Sequence, residues 1–470
     1  MKEPCNAKYY NAGKPGFALF ICWLPLLLLG IPLQAATNAI SWNAAKQTID
    51  GFGISEAFHQ ARHIMDWPEP DRTRILKLLF STREGVGVSI LRNIIGDGGG
   101  WGNEVDGPTP TIEPAPNVWN WKGDEDQIWL MRQAKKLGCT RFISTSWSPP
   151  AWMKTVSTVE SGGSLRSDAY GDYANYLSHY VRGYKQQFGI DIFAVSLQNE
   201  PDLKTRYSSC QWTGEQFRDF IKDHLRPVFA RDHIHARVAV GEASNFGEKC
   251  VVPSLNDPEA CARVDIVTTH AYNKEDSKKV ALLPAARSKD KPIWMTEVSY
   301  FDKNDPSIAD GLRWARIMHG HLTASEVNAW FYWWGACYKT NGESLITLDL
   351  NKKCFSTTKR LYTFGNYSRF IRPGYVRLEV LPNPEEDVLV SAFKDPLTGR
   401  FVIVAINSSS SEKELALAFD GFSALSVTPH RTSATEDLSV LPEIKTPGFL
   451  NATLAPESVT TFVGKAKTAK

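Results

Sequence analysis

A chain of 470 residues, 43% apolar and 22% charged, is too long for one ordinary core and too apolar for a disordered protein. Its formal charge of +2 is carried by the first residues, through Lys2, Lys8, Lys14 and Glu3, so the remainder is close to neutral. A near-neutral chain lacks the basic surface that nucleic acid or an anionic membrane requires, and neither is expected as a partner.

Residues 1–36 read as a secretory leader. Lysines precede an apolar run from Phe17 to Leu33, and Gln34-Ala35-Ala36 offers a cleavage site near Ala35 or Ala36. The 17-residue run is slightly long for a leader core and slightly short for a span, so retention as an anchor is the alternative. No second run of that length occurs. The protein is therefore expected outside the cell, without integral membrane association once the leader is removed, and as a monomer.

From Asp50 onward strand and helix patterns alternate. Asp50–Ile54 is the first strand. The helix Arg72–Phe80 leads to the strand Val86–Ile95, and Asp126–Leu137 leads to Arg141–Trp147. The helix Ala169–Phe188 leads to Ile192–Gln198, and Glu215–Phe229 leads to Val238–Ala243. The strand Val264–His270, a helix around Lys278–Arg287 and the strand Ile293–Val298 follow. The helix Ile308–Thr323 precedes the strand Asn328–Trp334, and Thr358–Ile371 is the last helix. Eight such units predict an α/β fold, a (β/α)8 TIM barrel over residues 50–372. A doubly wound open sheet is the second choice. It lacks a phosphate turn after the first strand, because Gly98-Gly99-Gly100 follows the second.

Beyond Pro373 helical periodicity disappears. Tyr375–Leu381, Val388–Phe393, Phe401–Asn407, Glu414–Phe419 and Leu425–Pro429 are short alternating runs between Pro, Gly and Ser clusters. They predict an appended antiparallel β-sandwich over 373–470, joined by an N-terminal strand within 37–49.

Six cysteines follow the leader. Cys139 reads as a buried thiol. Cys337 and Cys354 bracket one loop and suit a disulfide in an oxidising compartment, and Cys210, Cys250 and Cys261 allow one more. No His/Cys cluster has zinc spacing, so neither metal nor cofactor is expected. Asn366, Asn407 and Asn451 fit the N-glycosylation triplet.

Two strands end in a carboxylate: Val195-Ser-Leu-Gln-Asn-Glu200-Pro201, the fourth, and Pro292-Ile-Trp-Met-Thr-Glu297, the seventh. The C-terminal ends of barrel strands form the active face. Two opposed carboxylates there meet the requirement for glycoside hydrolysis, one as acid and one acting at the anomeric carbon. For either glutamate alone a salt-bridged loop residue is as good a reading. Asn199 would bond a sugar hydroxyl. Trp147, Trp152, His270, Tyr272 and one of Trp333 and Trp334 fall on the same face, where flat rings stack on pyranose faces. Neighbours on a strand alternate sides, and Trp334 is taken as the ligand-facing one. Arg92 would orient Glu297 and hold its pKa down.

Asp50-Gly-Phe-Gly53, Trp147-Ser-Pro-Pro-Ala-Trp-Met-Lys154, Gln198-Asn-Glu-Pro201, Trp294-Met-Thr-Glu297 and the paired tryptophans resemble glycoside hydrolase family 30 nearly end to end. The resemblance implies retaining double displacement, with Glu200 as acid/base and Glu297 as nucleophile. Asn199-Glu-Pro-Asp202, Gln211-Trp-Thr-Gly214 and Gly162-Gly-Ser-Leu165 are similar to the xylanase branch. Where bacterial glucuronoxylanases of the family carry an arginine after the paired tryptophans, this chain has Gly335-Ala-Cys-Tyr-Lys339, and lysine is a non-bidentate substitute.

The expected protein is thus a secreted, retaining, endo-acting hydrolase of a plant cell-wall β-glycan, foremost the β-1,4-xylan backbone, glucuronoxylan included. A β-1,6-galactanase, a β-1,6-glucanase or an exo-acting β-glycosidase is the second reading. A carbohydrate-binding protein without catalysis is the third.

Overall fold

A computed structural model describes residues 38–100, 106–272, 283–381 and 387–467. The expected leader and residues 278–282 of the expected helix Lys278–Arg287 lie outside these.

The chain opens with strand β1 (Asn38–Thr48), followed by the barrel strands β2 (Gly51–Ser55), β3 (Ile90–Ile95), β4 (Arg141–Ser146), β5 (Ala194–Ser196), β6 (Arg237–Ala243), β7 (Ile266–His270), β8 (Ile293–Glu297) and β9 (Ala329–Cys337). Each of β2 to β9 pairs in parallel with the next, and β9 pairs with both β8 and β2, which closes the barrel. Helices occupy the crossovers, including Asp71–Phe80, Glu125–Lys136, Tyr170–Phe188 and Ile308–Thr323. Strands β10 (Ser344–Asp349) and β11 (Cys354–Thr357) extend the edge beyond β9.

The barrel interior is filled rather than hollow. Ile90, Ile143, Ala194, Ala239, Ile266, Trp294, Ala329 and Phe331 form one buried cluster, with residues from every strand from β3 to β9. Gly53 of β2 makes room for it, since a Cβ there would stand 2.2 Å from the Phe331 ring.

The second sheet contains β1 and β12 (Val376–Leu381), β13 (Val388–Lys394), β14 (Arg400–Asn407), β15 (Lys413–Asp420), β16 (Ser423–Thr432), β17 (Ser439–Val440), β18 (Ile444–Lys445), β19 (Phe449–Leu454) and β20 (Ser458–Lys467). Its pairings are antiparallel except for β1 with β15. Ile40 and Trp42 of β1 join its core with Phe401, Leu417 and Phe462.

Two expectations, the disulfide and the extent of the fourth barrel strand, fail against this fold. The described cysteines are all free: Cys337 is buried at the end of β9 while Cys354 is exposed at the start of β11, so the disulfide between them is not formed. Two glycosylation triplets are structural amides. Buried Asn366 donates to the His430 carbonyl and Thr461 Oγ1, and buried Asn407 donates to the carbonyls of Ser411 and Ala455. Finally, the fourth barrel strand is only Ala194–Ser196, and Leu197–Glu200 lies beyond the ladder.

Candidate active site

Glu200 is placed by an irregular backbone. Its φ is +44°, a region that a residue with a side chain rarely adopts. The Asn199 N–H donates to the Ser146 carbonyl at 2.7 Å and the Glu200 N–H to the Glu242 carbonyl at 3.0 Å. These bonds tie the turn to the ends of β4 and β6 on either side. The carbonyl of Glu242 is aimed by a bulge in β6. Gly241 (φ +131°) and Glu242 (φ +49°) break the register with β7, and a Cβ on Gly241 would meet the Thr268 carbonyl oxygen at 2.1 Å. The same bulge turns the Glu242 side chain to the barrel axis.

Glu297 is the last residue of β8. One oxygen each from Glu200 and Glu297 and a ring nitrogen of His270 lie within 4.8 Å of one another. Retaining glycosidases hold their carboxyl groups ~5–5.5 Å apart and inverting ones ~6.5–9.5 Å apart, and so close an approach of two oxygens agrees with the former.

Four side chains fix the pair. Arg92, with no exposed surface, donates from Nη1 to Glu297 Oε2 at 2.6 Å, from Nη2 to Asn199 Oδ1 at 2.6 Å and Glu242 Oε2 at 3.2 Å, and from Nε to Thr145 Oγ1 at 3.2 Å. Tyr272 donates to Glu297 Oε1 at 2.7 Å, and Tyr207 donates to Glu200 Oε2 at 3.0 Å. His270 Nδ1 lies 3.3 Å from Glu200 Oε1, and its Nε2 lies 3.9 Å from Glu297 Oε2. Both Glu297 oxygens are thus occupied by Arg92 and Tyr272.

The electrostatics follow from burial. Burial pushes the Glu297 carboxyl up; the charges of His270 and Arg92 and the Tyr272 hydroxyl oppose this, Glu200 adds to it, and the net direction is upward. Arg92 therefore acts in the expected direction but is outweighed by desolvation. Burial favours neutral His270, yet Glu297 and Glu200 together overcome it and raise the ring above its ordinary value.

Of the expected residues, Arg92, Asn199, Glu200, His270, Tyr272 and Glu297 come together. The tryptophans do not serve as expected. Trp147 is 1% exposed and lies under the Arg92 guanidinium, 4.4 Å from its ring centre. Trp334, taken as the ligand-facing one, is wholly buried. A bulge between β2 and β9 cancels the alternation of sides, and Trp333 and Trp334 stack on each other at 4.8 Å. Trp152 is half-buried, with its indole N–H on the Glu113 carbonyl at 3.0 Å. Lys339, the position of the family arginine, has its ammonium 5.6 Å from the centre of the Tyr338 ring. Glu242 and Tyr207 were not foreseen. Glu242 offered one signal, a glutamate directly after a glycine at the end of the fifth barrel strand.

Comparison with known proteins identifies the family. The family model for glycosyl hydrolase family 59 matches residues 49–349. The chain is 32% identical over 464 residues to the glucuronoxylanase XynC of Bacillus subtilis, covering 95% of this chain and 97% of that protein. The family 30 subfamily 8 xylanase Xyn30A of Clostridium acetobutylicum superposes with a TM-score of 0.76 at 28% identity, over 91% of this chain and 99% of that one. The catalytic domain of the family 30 xylanase C of Talaromyces cellulolyticus does so with a TM-score of 0.79 at 27% identity, over 91% and 100%. The model stops at the barrel, whereas the family 30 structures match through both sheets. On that full-length match the chain belongs to glycoside hydrolase family 30 and is a retaining O-glycosyl hydrolase.

Proposed function

We propose that the protein is a secreted endo-acting xylanase that cleaves the β-1,4-xylan backbone, with Glu200 as acid/base and Glu297 as nucleophile. The observation that carries this reading is the carboxylate pair itself, each member fixed by its own tyrosine and with the His270 ring between them. The substrate is suggested by the names of the relatives matched over nearly the whole chain, a glucuronoxylanase and two xylanases.

In the first step a Glu297 oxygen attacks the anomeric carbon. The proton of Glu200 passes to the glycosidic oxygen as the C–O bond breaks, and the leaving chain departs as an alcohol. The Tyr207 hydroxyl stabilises the carboxylate left on Glu200. In the second step Glu200 takes a proton from water, which attacks the same carbon and releases Glu297. Arg92 and Tyr272 receive the returning carboxylate charge. Asn199 spends its Oδ1 on Arg92, leaving its Nδ2 to donate to a sugar hydroxyl.

Digestion of xylan, glucuronoxylan, β-1,6-glucan and β-1,6-galactan, with sizing of the products, tests the substrate. Mixed short oligomers from xylan are expected, and release only from a β-1,6-glycan would overturn the assignment. For the roles, Glu297→Gln is expected to fold, bind xylan and show no turnover.

A further inference from the structure

The linker that carries the chain from barrel to β-domain encloses a second polar cavity. It has a volume of about 410 Å³ and is lined by Thr82, Arg369, Arg372, Tyr375, Arg400 and His430, with Phe370 and Val463 as its apolar wall. The turn through Thr82 and Gly87 enters β3 at its N-terminal end, so the cavity lies on the barrel face away from the carboxylates.

Its charge is not balanced by the protein. Arg369 donates from Nε to the Thr82 carbonyl at 2.9 Å and from Nη2 to the Arg83 carbonyl. Arg372 Nη1 donates to the carbonyls of Ser368, at 2.8 Å, and Gly87. These bonds hold the guanidiniums in place but supply no negative charge. Among the described residues, none of Arg369, Arg372 and Arg400 forms an ion pair. The acid nearest in effect is Asp395, outside the lining, and its carboxylate accepts from the Leu397 N–H at 3.0 Å and from the Thr398 hydroxyl. His430 adds a buried Nδ1 with no hydrogen-bond partner. Its ring lies tilted against Phe370, with centres 4.5 Å apart, and its backbone carbonyl is fixed by Asn366 Nδ2 at 3.1 Å. Burial first and Arg369 second push its imidazole down to about 4, which a bound negative charge would reverse.

Like charges gathered beside apolar walls repel one another and lose hydration. An oxyanion in the cavity would remove both costs, because guanidiniums offer forked donors to carboxylate, sulfate and phosphate alike. We propose that this cavity, between Arg369, Arg372, Arg400 and His430, binds a compact oxyanion, either free sulfate or phosphate or the carboxylate of an acidic sugar. The site is separate from the hydrolytic one and stands whether or not xylan is the substrate.

Calorimetric titration of the whole protein with sodium sulfate, against sodium chloride at equal ionic strength, tests it. A saturable heat at low millimolar sulfate is expected. Arg400→Gln, which changes an exposed side chain outside the catalytic machinery, is expected to weaken that binding about tenfold or more while leaving hydrolysis unchanged. Arg372→Gln is a second variant, and Arg400→Gln keeps the test open if it fails to fold. D-glucuronate that saturates and competes with sulfate, where D-glucose does not, identifies an acidic sugar as the source. Saturation by sulfate or phosphate alone identifies the inorganic anion. No saturable heat from any of these, or binding to Arg400→Gln as tight as to the parent, overturns the proposal. A non-saturating thermal stabilisation shared by parent and variant also overturns it, since sulfate does this to folded proteins in general.

Discussion

The guanidinium of Arg92 and the carboxylate of Glu242, separated by 150 positions in the chain, meet at 3.2 Å with neither side chain exposed. The pair determines how Arg92 divides itself: Nη1 serves Glu297, while Nη2 serves Glu242 and Asn199. Removing one member of a buried pair costs ~3–5 kcal/mol when the other charge is left uncompensated, but Arg92 keeps Glu297 as a counter-charge. Glu242→Gln is therefore expected to lower stability by less than that amount. It should also lower kcat on xylan by one to two orders of magnitude with little change in KM, since a misplaced Arg92 disturbs the Glu297 carboxylate and not the distal sugars. Melting temperature and steady-state kinetics check this together. A variant with the parent's kcat would show that Glu242 does not position Arg92.

Tyr272 gives a pH test. Its hydroxyl, 2.7 Å from Glu297 Oε1, is one of the groups that oppose the upward push of burial on that carboxyl. Removing it leaves the rise less opposed, so the pKa moves further up. Attack requires the ionised form, which is lost as pH falls through that pKa. In Tyr272→Phe the acidic limb of kcat/KM is therefore expected to move to higher pH, and the plateau to fall about tenfold or more. A pH profile between pH 4 and 9 measures both. An unmoved acidic limb, or one displaced to lower pH, would remove Tyr272 from this role.

The strand and helix alternation was readable because buried parallel strands write themselves as short apolar runs between amphipathic helices. Glu200 and Glu297 were readable for a related reason: a carboxylate at the end of such a run is conspicuous. Glu242 was hidden because its inward direction depends on a bulge, and that bulge rests on contacts between Gly241 and β7 that no local pattern displays. Trp333 and Trp334 failed in the same way. Strict alternation put them on opposite sides, and a register shift against β2 stacked them together. Trp147 was misjudged on chemistry, because a flat ring serves a guanidinium as well as it serves a sugar. Tyr207 lies in a loop without periodicity, and only the folded chain brings its hydroxyl to Glu200.

Asp97 ties stability to pH. It is buried at the end of β3, where its Oδ1 accepts from the Gly99 N–H at 2.7 Å and Ser208 Oγ at 3.1 Å, and its Oδ2 has no partner. Burial, only partly opposed by those bonds, pushes its carboxyl from 3.8 to about 7. Between those values the unfolded chain has lost the proton and the folded one keeps it. Folding then takes up a proton, and stability falls as pH rises. The contribution is complete below the unfolded value and gone once pH has passed the folded one. An asparagine keeps the acceptor and cannot ionise. Asp97→Asn is expected to melt like the parent near pH 4 and to be more stable at pH 8, by up to about 4 kcal/mol. Asp124, also pushed to about 7, keeps some of the parent's decline in the variant. Denaturation at several pH values reads the difference, and parallel curves for the two proteins would refute the assignment.

Phe301 extends the site toward the solvent. It follows β8, has 58% of its surface exposed, and stacks on Tyr272 with ring centres 5.4 Å apart and planes 25° from parallel. Tyr272 is itself fixed on Glu297, so an exposed apolar face is held one ring away from that carboxylate. A pyranose offers a matching face of C–H groups, and burying an aromatic ring against it is worth ~1 kcal/mol or more. The sugar bound there would be a neighbour of the one that reacts. Phe301→Ala is therefore expected to lower kcat/KM on xylan about tenfold. Hydrolysis of an aryl monosaccharide with an activated leaving group, which has no second sugar to place, should stay within about twofold of the parent. Phe301→Trp, which keeps a flat face, should restore the polymer rate. Equal losses on both substrates would mean that Phe301 supports Tyr272 and does not hold a sugar.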